Sequence, residues 1–258
     1  MGPLLCAYAP ATGHLYVSTL TGNQTLFLLL LSLLAGAGTL LGAVLALLIP
    51  LDRTLPFLAG FAGGVMSSVV AAELLPASVA LGGPGPALVG CLAGGAFLFF
   101  FDLLLPHRPA ARDEYRRLGW LLFTAIALHD LPEGIALGTG GSAAAKLGIL
   151  LAVALGAHNL PEGLINTVPL RLGGLGAKRL LTLNFLLSLV TPLGTLLGIA
   201  MAEWQPRLIP VLLALAAGAM LYIVLKELLP RMVDGGGDTG FLCGFLLLIL
   251  LWWLLERL

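Results

Sequence analysis

The sequence predicts an all-α, polytopic membrane protein of eight transmembrane helices, and three observations predict it. Of the 258 residues, 59% are hydrophobic and 10% are charged, where a soluble domain carries about 25% charged residues. Too few charges remain to cover a water-facing surface, so lipid must cover most of it. Apolar runs near the roughly 20 residues needed to cross a bilayer occur eight times, and clusters of turn-formers separate them.

Taken in order, the predicted spans are 26–48, 56–79, 87–105, 118–138, 146–167, 180–202, 208–229 and 240–256. The turns between them are expected at Pro50 to Pro56, Gly82 to Pro86, Pro106 to Pro109, Gly138 to Gly141, Gly173 to Gly176 and Gly235 to Gly237. A closed barrel is the other way to span lipid, but its strands alternate polar and apolar residues and these runs do not.

Net charge is zero, so no basic field points to nucleic acid. Cys6, Cys91 and Cys243 form no CxxC pair, and no disulfide framework is expected. Cys91 and Cys243 lie in apolar runs, where cysteine packs as a small hydrophobe. The first 25 residues place no Lys or Arg ahead of an apolar run, so they do not read as a cleavable signal.

Orientation follows from the loop cations. The connections after spans 1, 3, 5 and 7 carry nine: Arg53, Arg108, Arg112, Arg116, Arg117, Arg171, Lys178, Arg179 and Arg231. The opposite side carries three, Lys146, Arg207 and Arg257. Both termini are therefore expected on the non-cytoplasmic side.

Two long-range repeats stand out. Residues 30–46 (LLSLLAGAGTLLGAVLA) recur as 186–202 (LLSLVTPLGTLLGIAMA), 156 positions on. Gly64-Val65-Met66 with Glu73-Leu74-Leu75-Pro76 recurs as Gly218-Ala219-Met220 with Glu227-Leu228-Leu229-Pro230, 154 positions on. Spans 1–3 thus correspond to spans 6–8, displaced by five spans, an odd number, so the second copy runs inverted. The expected plan is one transmembrane domain over 1–258, arranged 3+2+3, with repeats 26–105 and 180–256 flanking a helix pair at 118–167. Inverted repeats with a midplane site are a transporter signature.

The chemistry sits on that central pair. HDLPEGIAL (129–137) recurs as HNLPEGLIN (158–166). Residues four apart share a helical face, so His129 goes with Glu133 and His158 with Glu162. Facing helices would bring together two imidazoles and two carboxylates. That set suits Zn²⁺ and also accepts Fe²⁺, Mn²⁺, Co²⁺ or Cd²⁺. Unpartnered, such groups at mid-bilayer cost at least ~2.5–3.5 kcal/mol per charge on insertion scales, which a bound cation offsets. Pro132 and Pro161 free the carbonyls of Leu128 and Ala157 from helical donors and introduce bends, while Gly134 and Gly163 permit close helix approach. Asp130 and Asn159 lie about 100° around the helix. They suit a second, adjacent site in which Glu133 and Glu162 bridge two metals. The plainer alternative is that these His and Glu side chains hydrogen-bond one another as structural glue.

With these features together, the chain resembles the ZIP (Zrt/Irt-like) metal transporters of bacterial, GufA-like type. The resemblance implies divalent metal transport, zinc first, into the cytoplasm by alternating access across the cell's inner membrane. It implies a main site of His129, Glu133, His158 and Glu162 joined by Met66, and a second site using Asp130 and Asn159 with the shared glutamates. Family members often carry Glu before the span 6 proline, where this sequence has Thr191-Pro192, leaving a weaker or absent second metal. His107 is the only histidine in the loop after span 3, so no metal-sensing loop is expected there.

Glu73 and Glu227, read as ending their helices, are either pathway groups or charges snorkelling to the interface. Asp102, Asn166, Asn184 and Lys226 are weaker candidates of the same kind. Two alternatives remain: an intramembrane metalloenzyme, disfavoured by the lack of HExxH or GxSxG, and a non-metal proton-coupled carrier using the same carboxylates. Gly36, Gly38 and Gly42 fit either packing within one chain or a homodimer.

Overall fold

The computed structural model describes residues 21–49, 51–106, 110–204, 206–232, 235–255 and 257. Cys6, Pro50, His107 and Arg108, and the expectations attached to them, lie outside the described residues.

Eight helices among the described residues are long and apolar enough to cross a membrane, and no strand occurs among those residues. They are α1 (Gly22–Leu48), α2 (Leu51–Val69, continued by Leu75–Gly82), α3 (Pro84–Leu104), α4 (Ala111–Ala143), α5 (Ala145–Leu172), α6 (Ala177–Ser188, continued by Val190–Trp204), α7 (Ile209–Ile223, continued by Leu229–Met232) and α8 (Gly237–Leu255). The chain is an integral membrane protein.

α1 and α4 begin a turn or more before their apolar runs, on polar residues. Thr21 and Gln24 form a reciprocal capping box at the start of α1. Asp113 and Glu114 occupy the first turn of α4, where carboxylates favour the helix dipole. Two expected turns are helical instead. Pro56 lies inside α2, five residues past its start at Leu51, so its missing N–H leaves one carbonyl of the opening turns without a helical donor. The glycines at 138–141 lie inside α4, and the chain breaks at Ala144, whose backbone is extended (φ −155°, ψ 127°). Those glycines serve packing: a Cβ at Gly138 would run into the Thr195 carbonyl, and one at Gly141 into Leu28.

Glu73 and Glu227 do not end their helices. Each lies in a π-helical turn, Val70–Leu74 in α2 and Val224–Leu228 in α7, beyond which the helix continues. The cause is the shared Glu-Leu-Leu-Pro. A proline ring clashes with the carbonyl four residues back, and widening the preceding turn relieves it. Leu75 N–H accordingly donates to the Val70 carbonyl and Leu229 N–H to that of Val224. Single π turns of this kind recur at functional sites.

Close glycine packing sorts the helices into two groups of four. In the first, Gly36 of α1 lies on the Ser188 carbonyl of α6, Gly42 of α1 on the Leu160 carbonyl of α5, and Gly134 of α4 on the Thr191 carbonyl of α6. Ser188 is available because its helical donor would be Pro192, which has no N–H. In the second, Gly64 of α2 lies on the Phe241 carbonyl of α8, and Gly94 of α3 on that of Leu215 in α7. Among the described residues, the nearest helix partner of each packed glycine belongs to its own group: α1, α4, α5 and α6, or α2, α3, α7 and α8. Gly36, Gly38 and Gly42 are all used inside the chain.

α4 and α5 lie at the centre. Their apolar windows are 72% and 67% buried, against 28% for α3 and 22% for α8. Two apolar clusters fill the interior. One, with Leu28, Val69, Leu151, Leu155, Leu213 and Leu248, occupies the half nearer the chain termini. The other, with Ala46, Met66, Leu98, Leu122, Ile165 and Ile223, occupies the half facing the arginine-rich loops.

Candidate metal site

Between the two apolar clusters lies a polar layer built by α4 and α5. His129, Asp130 and Glu133 come from α4; His158, Asn159 and Glu162 come from α5. None is more than 3% exposed.

The contacts cross between the helices. His129 Nε2 lies 3.0 Å from Glu162 Oε1, and His158 Nε2 lies 2.8 Å from Glu133 Oε2. Each motif thus supplies the histidine for its neighbour's glutamate. Gly134 and Gly163 let the flanking helices close on this pair. A Cβ at Gly163 would overlap the Thr39 carbonyl of α1, and one at Gly134 that of Thr191 in α6.

Asp130 differs from expectation. Its Oδ1 lies 3.3 Å from His129 Nε2, and the ligand atoms of His129, Asp130 and Glu133 all fall within 4.8 Å of one another. The 100° step separates Cβ atoms, but the far nitrogen of the imidazole swings across it. Asn159 is held differently: its Nδ2 donates to the Ala35 carbonyl of α1 at 3.1 Å. Met66 is buried in the apolar cluster on the arginine-rich side, with Ala125 and Ile165. Thr191 is buried on the α4–α6 seam, where its carbonyl faces Gly134 and accepts from Thr195 Oγ1 at 3.0 Å.

Hydrogen bonding does not exhaust this layer. Both oxygens of Asp130, Oε1 of Glu133, Oε2 of Glu162, Oδ1 of Asn159 and Nδ1 of His129 are buried without a hydrogen-bond partner. Buried polar atoms are normally satisfied. Three carboxylates beside two imidazoles leave a surplus of oxygen acceptors in the protein interior, where unpaired charge is expensive. Oxygen and imidazole donors in this mixture suit a divalent cation.

A narrow cavity of about 30 Å³ reaches the layer from the termini side, lined by Glu73, Glu133, His158, Leu155, Leu213 and Trp252 among others. That is room for about two waters. Glu73, 7% exposed, therefore faces the interior and does not snorkel. Its repeat mate Glu227 is 1% exposed on the opposite side. There Arg117 of α4 donates to both Glu227 oxygens at 3.1 and 3.2 Å and also pairs with Asp102 of α3. Arg231 donates to Glu227 at 2.7 Å, and Lys226 to Asp102 at 2.7 Å. Asn166 Nδ2 donates to Asn184 Oδ1 at 3.2 Å and Asn184 Nδ2 to Thr167 Oγ1 at 3.0 Å, while Asn166 Oδ1 is buried without a partner.

Sequence comparison decides the family. Residues 106–251 match the model of a family described as ZIP Zinc transporter. The chain is similar to the zinc transporter GufA of Myxococcus xanthus, 36% identical over 66% of this chain and 72% of that protein. It is also similar to the zinc transporter ZupT of Chlorobium phaeovibrioides, 39% identical over 81% and 88% of the two chains. Against ZupT of Chlorobium luteolum it is 34% identical over 86% and 95%.

The chain belongs to the ZIP family.

ZIP proteins are transporters, which sets aside the intramembrane enzyme. Two parts of this ZIP chain's interior escaped sequence reasoning. Trp252 looked like one more apolar residue of α8. Arg117 was counted only as a loop cation; the available signal was Asp102, a lone carboxylate in an otherwise apolar span.

Proposed function

We propose that this ZIP protein carries divalent metal ions, zinc first, across the cell's inner membrane into the cytoplasm through the α4–α5 layer. The carrying observation is the crossed His/Glu constellation: two imidazoles and three carboxylates, buried together, with oxygen atoms left over. The proposed ligands are His129, Glu133, His158 and Glu162, with Asp130 adding a third carboxylate and Met66 at the cytoplasmic edge. Asn159 and Thr191 border the layer. Asp130 offsets the carboxylate that Thr191 does not supply. Fe²⁺, Mn²⁺, Co²⁺ and Cd²⁺ suit the same donors.

In this reading both termini lie outside, the arginine-rich loops face the cytoplasm, and the chain is one 3+2+3 domain with inverted repeats. The cavity beside Glu73 is then the outer approach. The cytoplasmic half is filled by the cluster around Met66, Leu122 and Ile223 and bridged by Arg117, which joins α4 to Asp102 and Glu227 of the other helix group. Access alternates when the group containing α4 and α5 shifts against α2, α3, α7 and α8. Each group takes helices from both sequence repeats. The glycine contacts lie within each group, so the groups slide more readily than they unzip internally.

The test is uptake of zinc into proteoliposomes containing the purified protein. Wild type should give saturable uptake that Glu133→Ala abolishes. Unchanged uptake in that variant would contradict the assignment, and uptake of protons without metal would favour the proton-coupled carrier.

A further inference from the structure

On the arginine-rich face, outside the metal pathway, the start of α4 and the start of α6 border an open groove of about 660 Å³. Arg116, Trp120, Leu175, Lys178, Arg179 and Thr182 line it. The Gly173-Gly174 turn fixes its cationic rim. Arg112 Nε, Arg116 Nε and Arg116 Nη2 all donate to the single Gly173 carbonyl, at 3.3, 3.2 and 2.9 Å. Gly174 takes a positive φ of 88°, a conformation that favours glycine.

Two guanidiniums are thus held side by side, with Lys178 and Arg179 beside them. Among the described residues, none of these four cations pairs with a carboxylate, whereas Arg117 and Arg231 do. The Gly173 carbonyl uses only part of the two guanidinium forks, so N–H donors remain for an anion. The groove also sits at a membrane boundary. Before Leu118 the chain reads Asp-Glu-Tyr-Arg-Arg; after it come Trp120, Leu121, Leu122 and Phe123. Trp120 stacks edge-on to Phe123 with centroids 5.6 Å apart, in the position of an interfacial anchor. Below the groove, Phe185 and Leu186 of α6 are 50% and 52% exposed and offer an apolar track.

We propose that this groove binds the phosphate headgroup of an anionic phospholipid, with the acyl chains running down α6. Guanidinium forks and ammonium groups recognise phosphate oxygens, and basic pockets between helices at the cytoplasmic surface suit such headgroups. The lipid bridges α4 to α6 and offsets the repulsion among the four cations.

The test is native mass spectrometry of the purified full chain titrated with phosphatidylglycerol or with phosphatidylcholine of the same acyl chains. Inorganic phosphate forms a third arm. Phosphatidylglycerol should bind preferentially, and Lys178→Gln/Arg179→Gln should weaken it roughly 30-fold, about fivefold per cation lost near an anionic surface. Both side chains are exposed, so the fold should be kept. As a check on wild type alone, high salt should weaken phosphatidylglycerol but not phosphatidylcholine. Equal binding of the two lipids, no salt effect, or full affinity in the double variant would overturn the proposal. Inorganic phosphate binding as tightly as the lipid would assign the groove to a soluble anion and overturn the proposal too.

Discussion

His158 of α5 meets Glu133 of α4 at 2.8 Å, while His129 and Glu162 make the reciprocal contact at 3.0 Å. The two copies of the motif are therefore coupled. Removing one residue leaves a partner on the other helix unpaired. His158→Ala should thus reduce zinc uptake as severely as Glu133→Ala. Losing an outer-shell partner of a metal site costs about 10–100-fold, so losing a ligand should cost at least roughly 100-fold. Initial uptake rates in proteoliposomes across zinc concentrations measure it.

Gly163 has no room for a methyl group against the Thr39 carbonyl of α1. Gly163→Ala should therefore push α1 from α5 and destabilise the protein by about 1–3 kcal/mol, the usual cost of overpacking. Thermal unfolding in detergent should show a lowered Tm. Gly22→Ala, with nothing within 4 Å, is the matched control and should not.

The eight spans and the family were legible in the sequence because each rests on local pattern: apolar run length, and a six-residue signature written twice. The inner architecture was not. Asp130 joined the cluster through the reach of the His129 ring, which helical spacing of Cβ atoms does not describe. Glu73 and Glu227 looked like helix ends because Glu-Leu-Leu-Pro suggests a stop. The helix instead passes the proline by widening one turn. Arg117 and Glu227 are separated by 110 positions, so only the packing of α4 on α7 brings them together. The grouping of helices across the repeats was hidden for the same reason.

Arg117 holds Asp102 and Glu227, each 1% exposed. Breaking a buried pair by removing one partner costs about 3–5 kcal/mol, reduced here because Lys226 and Arg231 remain. Arg117→Gln should therefore loosen the half facing the arginine-rich loops without unfolding the chain. A cysteine introduced at Leu122, otherwise fully buried, should react faster with a thiol reagent added on that side in this background. An unchanged labelling rate would refute the bridging role.

Metal binds carboxylate and neutral imidazole, so protons compete for the same atoms. Lowering the external pH should raise the zinc concentration needed for half-maximal uptake. Glu133, reached by the termini-side cavity, is exposed to that competition. Uptake measured over a pH series at fixed internal pH checks this.

The central claim is that the crossed His/Glu layer holds the transported metal. Zinc X-ray absorption on the purified, zinc-loaded protein tests it most directly. Wild type should show nitrogen and oxygen neighbours at about 2.0–2.2 Å with the outer-shell pattern of imidazole. His129→Ala/His158→Ala should lose that pattern and most of its zinc. An imidazole pattern that survives the double substitution, or a zinc shell dominated by sulfur, would contradict the account.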